Sequence, residues 1–349
     1  MSYTNGLDDP SAYFQTAIYT GNGSTQSITN DGNSDLQPDW VWVKNRGATN
    51  GLGYQHQAYD SSRGTTKKLL PSATNVEATD ANSLTAFNSD GFSAGSNVGI
   101  NENAVSHVAW QWKSNAGTTV SNTDGDITST VQVNQNAGFS IVTDSPTNTT
   151  ARSIGHGLGV APQVVIRRAR TRAESWRVFH SAAGSTGSLK LNDESVYNSS
   201  TTLFTGVTST TFGVGTDFSV NGNYNYVSYC FAEKQGYSKF GSYKGNSNTD
   251  GPFVYTGFKP AWVMIKKSSG TGGWVILDNK RNTFNVVDKK VAADKADAES
   301  TVSILDFLSN GFKLRVNNSP QNQSGGTYIY MAFAENSFVT SKGIPTTAR

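Results

Sequence analysis

The sequence predicts an all-β protein of three tandem antiparallel β-sandwich units, and three observations carry that prediction. One strand motif occurs three times: Pro38-Asp39-Trp40-Val41-Trp42-Val43-Lys44, Pro162-Gln163-Val164-Val165-Ile166-Arg167-Arg168 and Pro260-Ala261-Trp262-Val263-Met264-Ile265-Lys266. Later landmarks keep step with it. A Gly-Phe or Thr-Phe pair ends at Phe92, Phe212 and Phe312, and an aromatic strand ends at Trp112, Phe231 and Phe333. A repeat of about a hundred residues is domain-sized and too long for a solenoid. The second observation is a period of two. Trp40 and Trp42 would face one side of a strand with Val41 and Val43 on the other. Val108, Trp110 and Trp112 alternate with Ala109 and Gln111, and Ile329, Met331 and Phe333 alternate with Tyr328, Tyr330 and Ala332. Third, Asn-Gly and Asp-Gly pairs punctuate these runs at Asn22, Asp31, Asp90, Asp124, Asn221, Asp250 and Asn310. They supply the positive φ angles of tight hairpins, and short strands between frequent turns indicate sandwiches.

In chain order, the first unit covers residues 1–115 and includes an N-terminal arm. Residues 116–137 are rich in Ser, Thr, Asn, Gly and Asp and read as a linker, with Ile127 to Val133 alternating as an extra strand would. The second unit spans 138–236. It runs almost directly into the third, 237–349, at Gln235-Gly236-Tyr237, so these two should hold a fixed orientation. Helix is expected only in the charged, Ala-rich stretch Lys289 to Glu299 and its counterpart Ser72 to Ser83, as a short surface helix or an Ω-type loop.

Composition narrows the function. Charged residues are 15% of the chain, well below the roughly 25% of an average soluble protein. Asn, Ser, Thr and Gly fill the gap and give a hydrophilic but weakly charged surface. A net charge of +2 is too small for a nucleic-acid binder, which concentrates basic charge. The N-terminus has no basic segment leading into an apolar stretch, so no secretory signal is expected, and no apolar run is long enough to span a membrane. Cys230 is the single cysteine, set in an apolar run, and is expected to pack rather than react.

No residue pattern designates an active site, and neither catalytic residues, a metal nor a cofactor is expected. The four histidines, His56, His107, His156 and His180, lack the spacing of a helical metal pair and read as polar surface or edge residues. Gly155-His156-Gly157-Leu158-Gly159 is not followed by the helix or Lys-Ser/Thr of a phosphate loop. Asn122-Thr123-Asp124-Gly125-Asp126 resembles the start of a calcium loop, but Ile127 stands where that loop needs glycine and Val133 where it needs glutamate. Asp60-Ser61-Ser62-Arg63 matches Asp278-Asn279-Lys280-Arg281. Asp60 with Arg63, and Asp278 with Arg281, are expected to form ion pairs that close a turn after a strand. The densest charge is Arg167, Arg168, Arg170 and Arg172. This cluster is the surface candidate for binding an anionic partner, and otherwise a solvated hairpin tip.

Longer words resemble a known family. Tyr19 to Ile28, Gln37 to Arg46, Tyr59 to Gly64, Ser89 to Phe92, Gly155 to Pro162, Tyr229 to Glu233, Ile304 to Phe312 and Tyr328 to Glu335 are similar to a module of virion and tail proteins of marine phages, cyanophages and pelagiphages among them. The resemblance covers nearly the whole chain. It implies jelly-roll, concanavalin-like (lectin-type or SPRY-like) sandwiches in a phage particle assembled in the bacterial host cytoplasm, and it brings no catalytic residues. On this basis the chain is expected to be a non-enzymatic virion structural protein: a tail-associated fibre or receptor-binding protein or, alternatively, a capsid decoration, spike or tail adaptor. The expected partners are other virion proteins, a host surface glycan or outer-membrane receptor, and further copies of the chain, with a trimer favoured.

Overall fold

The computed structural model describes residues 7–47 and 54–337. The first six residues of the expected N-terminal arm and the C-terminal tail beyond residue 337 lie outside them. The chain is nearly all β, with 44% strand against 3% helix.

Each repeat folds the same way. In the first, Phe14–Thr20, Trp40–Asn45, Gln57–Asp60 and Ser106–Trp112 form a sheet in which the last strand lies between the first and second. The second repeat copies this with Phe139–Asp144, Val164–Ala169, Arg177–His180 and Tyr226–Phe231. The third uses Ser238–Lys244, Phe258–Lys267, Val275–Asp278 and Thr327–Ser337. Three outer strands cover each inner sheet. They are Gln26–Ile28, Phe92–Ala94 and Leu84–Phe87 in the first repeat, and Arg152–Gly155, Thr211–Val214 and Phe204–Val207 in the second. In the third repeat the corresponding strands, Phe253–Tyr255, Gly311–Leu314 and Ser300–Leu308, join the inner sheet through Val287–Ala292.

The period-two runs bury both their faces. Val41, Val43 and Ala109 point into a core private to the first unit, and Tyr328, Tyr330 and Ala332 into one private to the third. The second unit has its own, around Val165, Phe204, Phe212 and Cys230. Trp40, Trp42, Trp110 and Trp112 point the other way, into a core that they share with Ile166, Tyr229 and Phe231 of the second unit and Trp262, Met331 and Phe333 of the third. The units therefore do not stand side by side on their private cores alone. Their inner sheets close around a common center. There Trp112, Phe231 and Phe333, the last aromatic of each repeat, touch pairwise edge to face at 6.3, 5.7 and 5.8 Å between centroids. Phe14 stacks on Phe333 at 5.2 Å and ties the start of the chain to its end. The indole N–H groups of Trp40, Trp112 and Trp262 are buried here without a hydrogen-bond partner among the described residues.

Residues 116–137 are more than a linker. Val120–Asn122 and Ser129–Asn134 form a hairpin on the edge of the second unit's sheet, and Val131 enters that unit's core. Of the short helix or Ω-type loop expected in two further stretches, the helix forms in neither. Lys289 to Glu299 begins with the strand Val287–Ala292 and continues as turn, and Ser72 to Ser83 is turn with the short strand Ala78–Thr79. The reason is where their carbonyls go. A helix would consume them internally, whereas those of Thr74, Asn75 and Ala296 accept hydrogen bonds from basic side chains of a neighboring unit.

A buried aromatic replaced by alanine costs about 3–5 kcal/mol, and Phe231→Ala removes a ring that two other units touch. The variant should melt at a lower temperature and still as one transition, because no unit keeps a complete core without the others. Calorimetry of the wild type is the check: independent transitions for separate units would refute the shared core as the cooperative element.

Candidate functional site

The residues marked by the sequence as chemically notable are mostly used to join units. The basic residue ending each repeated motif, Lys44, Arg168 or Lys266, occupies the same register position and reaches into another unit. Lys44 donates to Ala296 O at 2.9 Å, Arg168 to Thr74 O at 2.7 Å and Asn75 O at 2.6 Å, and Lys266 to Ser195 O at 2.9 Å. The first unit thus grips the third, the second the first and the third the second. Burial pulls the Lys44 and Lys266 ammonium groups down to about 8 and the Arg168 guanidinium down to about 10. Four residues before the end of the third strand the same cycle recurs. His56 donates to Ala292 O at 2.9 Å, Trp176 to Leu70 O at 2.8 Å and Trp274 to Lys190 O at 2.7 Å.

The Asp-x-x-Arg pairs begin chains that cross two of the joints. Asp60 accepts from the backbone N–H of Arg63 at 2.8 Å and pairs with its guanidinium. Arg63 also donates to Glu77 at 2.9 Å, and Glu77 accepts two hydrogen bonds from Arg170 of the second unit, both at 2.9 Å. Tyr229, from the same second unit, donates to Asp60 at 2.7 Å. Asp278, Arg281, Glu299 and Arg46 repeat the chain, with Trp110 donating to Asp278 at 3.0 Å. Burial alone would raise the Glu77 and Glu299 carboxyls, but the arginines outweigh it and hold both below the usual range. At the third joint His180 replaces the aspartate and donates to Tyr330 O at 3.1 Å.

The arginine cluster is therefore not a surface patch. Arg167 and Arg168 are fully buried. Arg167 forms a bidentate pair with Asp144, 2.7 Å on both sides, inside the second unit, and Arg168 belongs to the joint above. Arg170 is committed to Glu77. Arg172 alone stays largely at the surface, bonded to Glu174 at 2.7 Å and Tyr224 at 2.6 Å and lying over the Phe218 ring. The sequence signal failed because alternation places arginines on both faces of a strand whose two faces are buried.

The histidines, expected at the surface or an edge, are all buried. Three have one ring nitrogen fixed as an acceptor: His56 from Trp42 Nε1 at 2.8 Å, His156 from the Leu158 N–H and His180 from the Ala182 N–H. Burial lowers the pKa of all four, His107 and His180 to about 4. Burial pushes the Cys230 thiol up to about 12, in keeping with packing. Asn122 and Asp124 hydrogen-bond each other, and Asp126 accepts from Ser153 at 2.6 Å. Among the described residues no three His, Cys, Asp or Glu side chains cluster as a metal site.

The largest opening lies on the third unit, beside its joint with the first. A cleft of about 730 Å³ is walled by Asn279, Asn282, Thr283, Phe284, Phe307 and Asn336. It shares Asn279, Lys280, Glu335 and Asn336 with a smaller hollow of about 210 Å³ that reaches Gln15 and Asp31 of the first unit. Two ion pairs cross its rim, Lys259 to Glu335 at 2.6 Å and Lys280 to Asp31 at 2.7 Å. Phe284 is 83% exposed, far more than any other described large hydrophobic residue. The sequence reading missed this site, although the turn after Arg281 is four residues longer than its counterparts in the other repeats.

The model of a family described as a domain of unknown function (DUF7483) matches residues 9–337. The chain belongs to the DUF7483 family. The match takes in all three repeats and every joint between them, as expected if the DUF7483 unit is the closed body and not the single repeat. No curated protein matches the chain.

The histidines set an acid limit. A base whose folded pKa is lowered contributes stability that is complete above its unfolded value near 6.5 and is lost as pH falls toward its folded value. For His107 and His180 that window runs from about 6.5 to 4, and each is worth on the order of 3 kcal/mol. The carboxyls of Asp39 and Asp294, raised by burial, act in the opposite sense. Urea midpoints should fall steadily from pH 7 to 4.5, and His180→Gln should flatten the slope. An unchanged midpoint across that range contradicts the assignment.

Proposed function

We propose that the protein is a structural component of a bacteriophage virion, a tail-associated fibre or receptor-binding protein that contacts the host surface. Supporting this reading is the division of labor among its residues. The recurring side chains capable of chemistry, the repeated bases and the Asp-Arg-Glu chains, are engaged in holding the three units together. Differences between units are concentrated at loops and at outer faces. The third unit exposes Phe253 and Tyr255 on its outer sheet, where the first pairs Ser27 with Ser93. A rigid body with variable exterior loops suits recognition, since binding residues sit on loops held by a fixed scaffold. The weakly charged, amide-rich surface fits a particle exterior.

Within this reading each unit is an antiparallel sandwich of jelly-roll, concanavalin-like type, and the protein acts by binding without a catalytic step. Its partners are other virion proteins and a host glycan or outer-membrane receptor. A trimer would place three such bodies around a common fibre axis.

Purified protein should bind susceptible host cells saturably and reduce phage adsorption in proportion to occupancy. Immuno-electron microscopy should label the tail. Capsid labeling with no cell binding would replace this reading with capsid decoration.

A further inference from the structure

The joints provide an internal comparison. Glu77, Tyr197 and Glu299 occupy equivalent positions, since each donates its backbone N–H to the carbonyl six residues beyond the start of the repeated strand motif's Trp or Val: Arg170, Ser268 and Arg46. Lys67 and Lys289 are equivalent too, each donating its ammonium to a threonine, Thr79 or Thr301, on the facing strand. From Asp60 to Lys67 is seven residues, but from Asp278 to Lys289 is eleven. The third unit thus carries a four-residue insertion in the turn after its third strand, and Phe284 is on it.

This insertion is held in place. Asn282 accepts from the backbone N–H groups of Asp288 and Lys289 at 3.2 and 2.7 Å. Asn285 donates to Phe307 O at 2.8 Å and accepts from Phe307 N at 2.9 Å. A nearly bare aromatic ring is presented from a turn pinned on both sides, which limits the entropy lost on binding. At the joint between the first and second units, the corresponding turn is plugged. Ser61 and Ser62 there hydrogen-bond Gln132 of the additional hairpin. In the third unit the corresponding turn is open and borders the cleft, which adjoins the hollow shared with the first unit.

We propose that this cleft is a binding site for a neutral oligosaccharide. Its size falls within the roughly 300–1,000 Å³ range of ligand pockets. The cations at its rim are neutralized by Glu335 and Asp31, which leaves no unbalanced charge to select an ionic ligand. Asn279, Thr283 and Asn336 make no side-chain hydrogen bond to any described residue. The cleft thus brings together one exposed aromatic ring, two free amides and a hydroxyl. A pyranose has the matching chemistry, a flat C–H face that packs on an aromatic ring and a rim of hydroxyls that both donate and accept. The proposal rests on the reading of host-surface contact and names what is contacted.

The full chain would be applied to an array of neutral hexose and N-acetylhexosamine oligosaccharides alongside sulfated and uronic-acid glycans, and the best neutral hit titrated by calorimetry. Phe284→Ala and Asn279→Ala should each weaken binding about tenfold or more with an unchanged melting temperature. Tyr255→Ala, exposed on the same unit outside the cleft, should bind like the wild type. Binding of acidic glycans only, or of no glycan, overturns the proposal, as does full binding by Phe284→Ala. Cell binding separates the two levels. If the wild type and Phe284→Ala bind host cells equally, the cleft assignment falls and the host-surface reading stands. If array binding depends on Phe284 but no cells are bound, the site stands and the host-surface reading falls.

Discussion

The structure depends on one constraint: the inner sheets are apolar on both faces, and a three-stranded outer sheet can cover only one of them. Trp40, Trp42, Trp110 and Trp112 have nowhere to go within their own unit. Three such sheets solve the problem together by turning their second faces inward, where Trp112, Phe231 and Phe333 meet. Large aromatics suit that center because edge-to-face packing fills a three-sided space that parallel stacking would leave open. The cost is visible in the unpartnered indoles of Trp40, Trp112 and Trp262. Each such donor forfeits a water hydrogen bond, and the aromatic area buried around them offsets the loss.

Closing three sheets around a center creates three joints, and hydrophobic contact alone does not fix how one unit is rotated against the next. The directional bonds do. At every joint a base reaches carbonyls of a turn in the next unit, and an indole or imidazole N–H meets a backbone carbonyl there. Buried ion chains add specificity at two joints. Removing one member would strand a buried charge, a far larger penalty than the net stabilization from the pair. The third joint manages with His180, and its two units are already tethered by the short connection at Tyr237.

How much of this was legible follows from what each residue touches. The repeats, the strand alternation and the Asp-x-x-Arg pairs are local or periodic, and the sequence displays them directly. Alternation shows which residues share a face; it does not show that both faces are covered. That is why Arg167 and Arg168 read as a surface cluster and the histidines as surface or edge residues. At Lys289 to Glu299 and Ser72 to Ser83 the helix, one of the two forms expected there, is absent for a related reason. Propensity favored it, but the partners that claim the carbonyls of these stretches, Lys44 and Arg168, lie at least ninety residues away. The cleft was hidden because its distinguishing mark is an insertion, visible only once the equivalent positions in the three repeats are aligned through their shared hydrogen bonds.

A fused threefold body has a freedom that a homotrimer lacks. In a symmetric trimer any insertion appears at all three joints, so a loop that helps binding at one place must be tolerated by packing at the other two. Here the repeats share one chain but not one sequence, and the joints have diverged separately. One is plugged by the hairpin bearing Gln132. Another trades aspartate for His180. Beside the third, the lengthened turn of the third unit carries Phe284 at an open cleft. The shared core keeps the geometry constant while these changes accumulate, because none of them touches the aromatic center. Fusion of the repeats is therefore what allows a single distinct site to arise on a nearly symmetric scaffold.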